Sequence, residues 1–437
     1  MSEYQDLYRQ KLTDAASIAA RVESGWVIGM DAATAHTPKI ISALAERARK
    51  DEIRNVKVQT LLDVYPLEFY ADKTLDGKLN GVSWFAGGGA RKAINAGFAD
   101  FIPNYYRDIP KLIRSCYDYD AFCVAVSPMD EHGYFSLGCV SSYSEAMIEK
   151  SKRIFLEVND RQPRAVCGLQ IHISQVDGIV ENNMTLPVLP AANIDETSRT
   201  IGGYIAELIP DGACIQLGIG NVATAVGYGL VDRNDLGIHS ELMSDPLMDL
   251  MKMGVVTNKR KTLLPGKTVV GFSSGSEELY RFLDHNEDMY YLPFPLINDM
   301  TLIGRNDNMI SINTAMSADL YGAISADNIT GRQFSGVGGQ LDYVRGAQMS
   351  RGGKSIIAMT STFVDKRGER HSRIVPYFPP YTAVTTPRAD TQYLITEYGC
   401  INLKPLLMKD RIRAVISLAH PDFRDQLTAC AREAKLL

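Results

Sequence analysis

The chain has 437 residues and a mass of 48.2 kDa, with 45% hydrophobic and 22% charged residues, a composition that excludes collagen-like and intrinsically disordered chains. Lys and Arg number 46 against 51 Asp and Glu, a formal net charge of −5 and a sequence pI near 5.9. That balance gives no electrostatic footprint for duplex nucleic acid or an anionic membrane. At roughly 100–200 residues per domain, the length points to two or three domains.

The seven cysteines (Cys116, Cys123, Cys139, Cys167, Cys214, Cys400 and Cys430) are an odd number and contain no C-x-x-C pair. This argues against a zinc site or a disulfide framework and fits thiols kept reduced. Residues 1–26 are polar and charged, without an apolar run of signal-peptide length. No stretch approaches the ~20 apolar residues that span a bilayer. The expectation is a soluble cytoplasmic protein with neither a membrane nor a nucleic-acid partner.

In chain order, a β-branched run at 26–30, a helical pattern at 38–50 and a second apolar run at 56–64 give the rhythm of a parallel sheet flanked by helices. The loop Gly87-Gly88-Gly89 leads to Arg91 and Lys92, where it either meets an acidic ligand or caps a surface helix. Further strand-like runs lie at 122–126 and 153–158. Pro187 and Pro190, followed by Asp195-Glu196-Thr197-Ser198 and a helical pattern at 201–209, mark an extended linker entering a helix. The domain boundary is placed there, giving domains 1–190 and 191–437.

The second half repeats the rhythm, with strands expected at 213–217, 268–272 and 355–359. Gln216-Leu217-Gly218-Ile219-Gly220 turns from strand to helix, either as a tight structural turn or as a backbone cradle for an anionic ligand. The full G-x-G-x-x-G pattern is absent, and so are a P-loop and a G-x-S-x-G elbow. His239-Ser240-Glu241 ends a strand before a helical pattern at 247–253; Glu241 is either a solvated acid or a carboxylate nucleophile at a sheet edge. Gly336-Val337-Gly338-Gly339 opens a helix running to Met349, as a plain turn or as an oxyanion hole. Ser350-Arg351-Gly352-Gly353-Lys354 carries the same ambiguity as the first glycine loop. The whole predicts an α/β fold with mainly parallel sheets.

Together these segments resemble the acetyl-CoA hydrolase/transferase family of class I CoA-transferases, particularly its 4-hydroxybutyrate and butyrate:acetate branch. The likeness covers nearly the whole chain. It includes Ala93-Ile94-Asn95-Ala96-Gly97, Ser127-Pro128-Met129-Asp130-Glu131-His132-Gly133-Tyr134, Ile312-Asn313-Thr314-Ala315, Arg373-Ile374-Val375-Pro376, Thr396-Glu397-Tyr398-Gly399 and Ala419-His420-Pro421-Asp422-Phe423, besides the three glycine and glutamate segments. The resemblance implies two open α/β domains with the active site between them, and a homodimer or higher homo-oligomer. It implies that Glu241 is a nucleophile forming a glutamyl-CoA thioester, with Gly338 and Gly339 as the oxyanion turn. It also implies CoA contacts from Gln216, Leu217, Gly218, Ile219, Gly220, Gly338, Asn313 and Lys354. Coenzyme A would be substrate rather than prosthetic group, and no metal is expected. Asn221-Val222-Ala223-Thr224 departs from the Gly-x-Pro-like continuation of many relatives.

The expected activity is CoA transfer between a short-chain acyl-CoA and a small carboxylate such as acetate, butyrate or 4-hydroxybutyrate. Acyl-CoA hydrolysis by the same glutamate is the alternative, and a non-catalytic CoA-binding protein a third reading. Tyr134, His132 and His36 either line an acyl pocket or serve packing.

Overall fold

The computed structural model describes residues 3–437 except Ala191 and Ile219. The chain forms two compact units. One comprises Met1–Pro190 with Val269–Ile297, and the other Ala191–Thr268 with Asn298–Leu437. Each is an α/β unit built on a mainly parallel sheet. Among the described residues no helix is long and apolar enough to cross a membrane.

In the first unit a seven-stranded sheet runs in the order Asp100–Phe101, Leu79–Ser83, Val56–Leu61, Val27–Ala32, Ala121–Val126, Ile154–Val158, Gly178–Glu181, with every pair parallel. Ala121–Val126 is buried throughout, as a central strand covered on both faces must be, so its sequence is continuously apolar rather than alternating. Helix Pro38–Arg49 carries Pro38 in its first turn and buries Ile40, Ile41, Leu44, Ala45 and Ala48. That spacing is a single apolar stripe laid on the sheet.

Val269–Ile297 returns to this unit, an excursion that the single division after residue 190 does not describe. Its backbone is stitched there by Ser141 N to Gly271 O (3.0 Å), Ser273 N to Cys139 O (2.8 Å) and Tyr291 N to Cys167 O (2.9 Å). Phe294 stacks on Tyr106 with ring centroids 4.5 Å apart.

The glycine loop at 87–89 is filled from within. The Asp63 carboxylate accepts the amides of Gly87, Gly89 and Ala90 at 2.8–3.1 Å, so the protein's own acid occupies the position considered for an acidic ligand. His36 is fully buried and its pKa is pushed down to about 4 by that burial. Tyr134 is 41% exposed and stands on the short antiparallel pair Tyr134–Ser136 and Gln170–His172, its ring against His172. His132 projects into solvent nearby. The three are therefore dispersed between core and surface rather than gathered in one pocket.

In the second unit the strand order is Gly237–Met243, Cys214–Leu217, Met309–Thr314, Lys354–Ala358, Tyr393–Thr396, Gly399–Asn402. All are parallel except the last pair. The carboxyl ends of its parallel strands form one edge, where sheets of this kind hold ligands.

Candidate active site

Glu241 lies near the carboxyl end of strand Gly237–Met243. The strand is fixed from below by Lys261, whose buried Nζ donates to Ile238 O (2.7 Å) and Lys267 O (2.6 Å), and by Asn258 Oδ1, which accepts Ile238 N (2.9 Å). Side chains alternate along a strand, so His239 and Glu241 share a face. His239 is buried with its ring 6.3 Å from that of Tyr343, which belongs to helix Gln340–Met349. That face therefore lies against the helix, and Glu241 meets the helix amino-terminus.

Two donors hold the carboxylate there. Asn298 Nδ2 donates to Glu241 Oε2 at 2.7 Å, and the Gly339 amide supplies a backbone hydrogen bond. Gly339 is the N-cap of the helix, preceded by Gly338 at φ +61°. A Cβ on Gly339 would stand 1.8 Å from Glu241 Oε2 and 2.0 Å from Asn298 Nδ2. Only glycine allows the turn to close on the acid. Asn298 itself is fully buried, and its Oδ1 finds no hydrogen-bond partner among the described residues.

Glu241 keeps some accessible surface, yet protein crowds its carboxyl and pushes the pKa up to about 8. Desolvation is the main cause. The buried Asp342, in the first turn of the same helix, adds to it through its charge, and the bonds from Asn298 and Gly339 oppose it without prevailing. Burial disfavours the ionised form more than two hydrogen bonds favour it. A carboxyl so poised at a sheet edge has the chemistry of an activated nucleophile or an acid-base group.

The remaining candidates divide. Gly218 N donates to Ile312 O at 3.1 Å, and a Cβ on Gly218 would meet the Asn313 backbone, so this glycine and Asn313 are neighbours on the carboxyl edge. The register Ile215 to Ile238, carried on three residues, brings Glu241 level with Gly218. Gln216 and Asn313 face each other inside the sheet: Gln216 Oε1 accepts Ile312 N (3.2 Å) and Asn313 Nδ2 (3.3 Å). In this structure Gln216 thus ties two strands together and orients Asn313. Leu217 is buried at the strand end. Gly220, at φ +115°, caps helix Asn221–Tyr228, which begins at the residues that depart from the expected Gly-x-Pro-like continuation. Ile219 lies outside the described residues.

Lys354 is not at this edge. It pairs with Ile310, which is level with Ile215 and hence with Ile238. It therefore sits three strands across and three residues back from Glu241, about 14 Å sideways and about 10 Å down the strands. Its Nζ donates to Leu208 O at 3.0 Å. The Gly352-Gly353 turn before it places the lysine at the amino end of its strand, the edge opposite the glutamate. Sequence reading passed over Asn298 and the charge of Asp342. Both are single residues at no fixed spacing from Glu241, and no local pattern marks them.

Residues 1–190 match the N-terminal domain, and residues 275–431 the C-terminal domain, of the acetyl-CoA hydrolase/transferase family. The chain belongs to this family. It is 39% identical to the succinyl-CoA:cyclohexane-1-carboxylate CoA transferase of Geobacter metallireducens, over 98% of this chain and 97% of that protein. It is 37% identical to the butyryl-CoA:acetate CoA-transferase of Anaerostipes caccae, over 99% and 98%. The crystal structure of RipA from Yersinia pestis superposes with a TM-score of 0.93 at 38% identity and covers 100% of both chains.

Proposed function

We propose that this CoA-transferase moves coenzyme A from a short-chain acyl-CoA to a small carboxylate through a covalent thioester on Glu241. The observation that supports it most is a crowded carboxylate held by Asn298 and Gly339 at the carboxyl edge of a parallel sheet, in a chain of this family. The Glu241 carboxylate attacks the thioester carbonyl carbon, the C–S bond breaks, and CoA thiolate leaves an acyl-glutamyl anhydride. The thiolate then attacks the glutamyl carbonyl carbon and expels the first carboxylate, leaving glutamyl-CoA. A second carboxylate runs the steps backward and departs as its CoA ester, so kinetics are ping-pong.

The Gly339 amide donates to the carboxylate while Glu241 is free. Once Glu241 is acylated, that amide and Gly338 N–H are available to the tetrahedral oxyanion, as preorganised donors that need no rearrangement. A carboxylate is a poor nucleophile toward a thioester, so crowding that raises its basicity, together with binding energy from the rest of CoA, assists the attack. Acceptors are proposed among acetate, butyrate and 4-hydroxybutyrate. We also propose a homodimer, the commonest closed assembly of soluble proteins, which light scattering would report as twice the 48.2 kDa chain.

The deciding experiment is intact and peptide mass spectrometry after mixing with butyryl-CoA. A CoA-sized adduct on the peptide holding Glu241, discharged by acetate with formation of acetyl-CoA, is the expected result. Steady release of free CoA without an acceptor would make the protein a hydrolase instead, because water would then be reaching the anhydride or thioester.

The pH profile gives a second test. The nucleophile must be ionised, so kcat/KM for butyryl-CoA rises with pH up to about 8, where Glu241 titrates. Asn298 donates to the ionised form, so Asn298→Ala raises that pKa further. A hydrogen bond to a charge contributes about 1.5–3 kcal/mol, which moves the rising limb about one to two pH units upward. A limb that stays put in the variant would remove Asn298 from the site.

A further inference from the structure

Helices Met408–Ser417 and Pro421–Glu433, joined through residues 418–420, pack against each other near the end of the chain. Ile412 and Ile416 of the first helix and Leu427 and Ala431 of the second are buried. The next position in each case is polar: Arg413 and Ser417, Thr428 and Arg432. Arg424, four residues before Thr428, completes the second stripe, because residues four apart share a helix face. Between these stripes lies a cavity of about 450 Å³, within the range of small-molecule sites. Lys435, at φ +56°, turns the chain back after the second helix, and Leu436 N donates to Ala431 O at 2.8 Å, a common way for a helix to end. Leu437 thereby reaches the cavity and, with the buried Ile416, gives it apolar walls.

Three arginines and no acid line this cavity. Arg413 pairs with Asp410 at 2.9 Å, with both side chains exposed, so that pair is weak. Arg424 commits its Nε to Ala419 O at 2.9 Å, and its guanidinium lies 5.2 Å from the centre of the Tyr398 ring. Arg432 is exposed and makes no side-chain hydrogen bond or ion pair among the described residues. The hydroxyls of Ser417 and Thr428 donate to Ala414 O (2.7 Å) and Arg424 O (2.8 Å). The guanidiniums are therefore the donors that a ligand would use. Cations gathered around a concavity add their fields, and the planar guanidinium fork matches phosphate oxygens two at a time.

We infer that this cavity is a second ligand site, which takes a small organic phosphate carrying at least two negative charges. A monocarboxylate would answer one of the three cations, whereas a multiply charged phosphate answers all of them and its organic part suits Ile416 and Leu437. The site is separate from the acyl-transfer centre. Tyr398, beneath Arg424, follows strand Tyr393–Thr396, which stands four strands from that of Glu241, about 19 Å across the sheet. The inference goes beyond CoA transfer and does not depend on it.

The test is calorimetric titration of inorganic pyrophosphate, and separately of acetate, into the parent, Arg432→Met, Arg432→Lys, Arg424→Met and Arg281→Met. Arg281 is an exposed arginine of the first unit, and its variant controls for the loss of one charge. Pyrophosphate should bind the parent more tightly than acetate does. Its affinity should fall at least about tenfold in Arg432→Met and Arg424→Met, recover in part in Arg432→Lys and stay unchanged in Arg281→Met. Arg432 is exposed, so its truncation is compatible with folding, and melts matching the parent would confirm that the loss is one of binding. No binding of pyrophosphate by the parent at about millimolar concentration, or equal losses in Arg432→Met and Arg281→Met, would overturn the inference. So would acetate binding as tightly as pyrophosphate. Repeating the titration with saturating butyryl-CoA separates the two sites: binding that butyryl-CoA abolishes and Arg432→Met leaves intact belongs to the acyl-CoA site and also overturns it.

Discussion

Glu241→Gln leaves a folded protein that takes up no CoA adduct and transfers CoA at least about 10⁴-fold more slowly, the scale of losing an enzyme's nucleophile. The amide keeps the shape of the side chain but has no lone pair of comparable reactivity on its oxygen. Stability changes in the opposite direction. The folded pKa of about 8 stands above the ordinary glutamate value of 4.5, so the native state favours the protonated form. The contribution of Glu241 to stability is therefore fully present below about pH 4.5 and is lost as pH rises through about 8. Ionising it in place costs on the order of a few kcal/mol, a cost the glutamine never meets. The variant should match the parent in thermal melts at pH 5 and exceed it by several degrees at pH 8.5. A rate loss under tenfold would dismiss Glu241 as nucleophile. Equal melting temperatures at both pH values would mean that the carboxyl is not crowded as described.

The fold was largely legible in the sequence and the candidate site only in part. The regular elements were legible because their patterns are local. The apolar run at 122–126 became strand Ala121–Val126, the stripe at 38–50 became helix Pro38–Arg49, and the run at 213–217 became Cys214–Leu217. Strand Met309–Thr314 escaped because Ser311 and Asn313 interrupt its apolar run, although both are buried. Gln216 meets the polarity of Asn313, whereas the Ser311 hydroxyl finds no hydrogen-bond partner among the described residues. Which unit a strand joins is likewise decided by contacts distant in sequence, so nothing local marks Val269–Ile297 as returning to the first unit.

At the site the same distinction holds. The glycines at 338 and 339 were visible as a turn before a helix, and Glu241 as an acid at a strand end. Their meeting with Asn298 depends on a helix laid over one face of a strand, a relation between residues 57 apart for Asn298 and Glu241. Lys354 shows the converse. A lysine after two glycines reads like an anion contact, but the parallel register fixes which end of the strand it occupies, and that end is the far one. The loop at 87–89 reads like an anion cradle and is one, for the protein's own Asp63.

The closeness of the Gly339 turn to the acid gives the second large effect. Gly339→Ala introduces a methyl at a point 1.8 Å from Glu241 Oε2 and 2.0 Å from Asn298 Nδ2, distances that neither contact can sustain. Backbone dihedrals are not the obstacle, since Gly339 has φ −95°, a value alanine adopts freely. The substitution therefore acts by displacement: either the carboxylate moves off Asn298 or the turn withdraws its amide. A displacement of about 1 Å in a reacting group costs about 10²-fold, and loss of an oxyanion donor about 10²–10³-fold, so kcat should fall by about 10²–10³ or more. Gly203→Ala is the matched control. It lies in helix Glu196–Glu207 with open space around its Cβ position, and it should add about 0.5–1 kcal/mol to stability with no change in transfer. Steady-state kinetics and melts on both proteins separate the outcomes. A Gly339→Ala enzyme with the parent's kcat would show that the turn does not act on Glu241, whereas loss of rate with an unchanged melt would confine the damage to the carboxylate and its two donors.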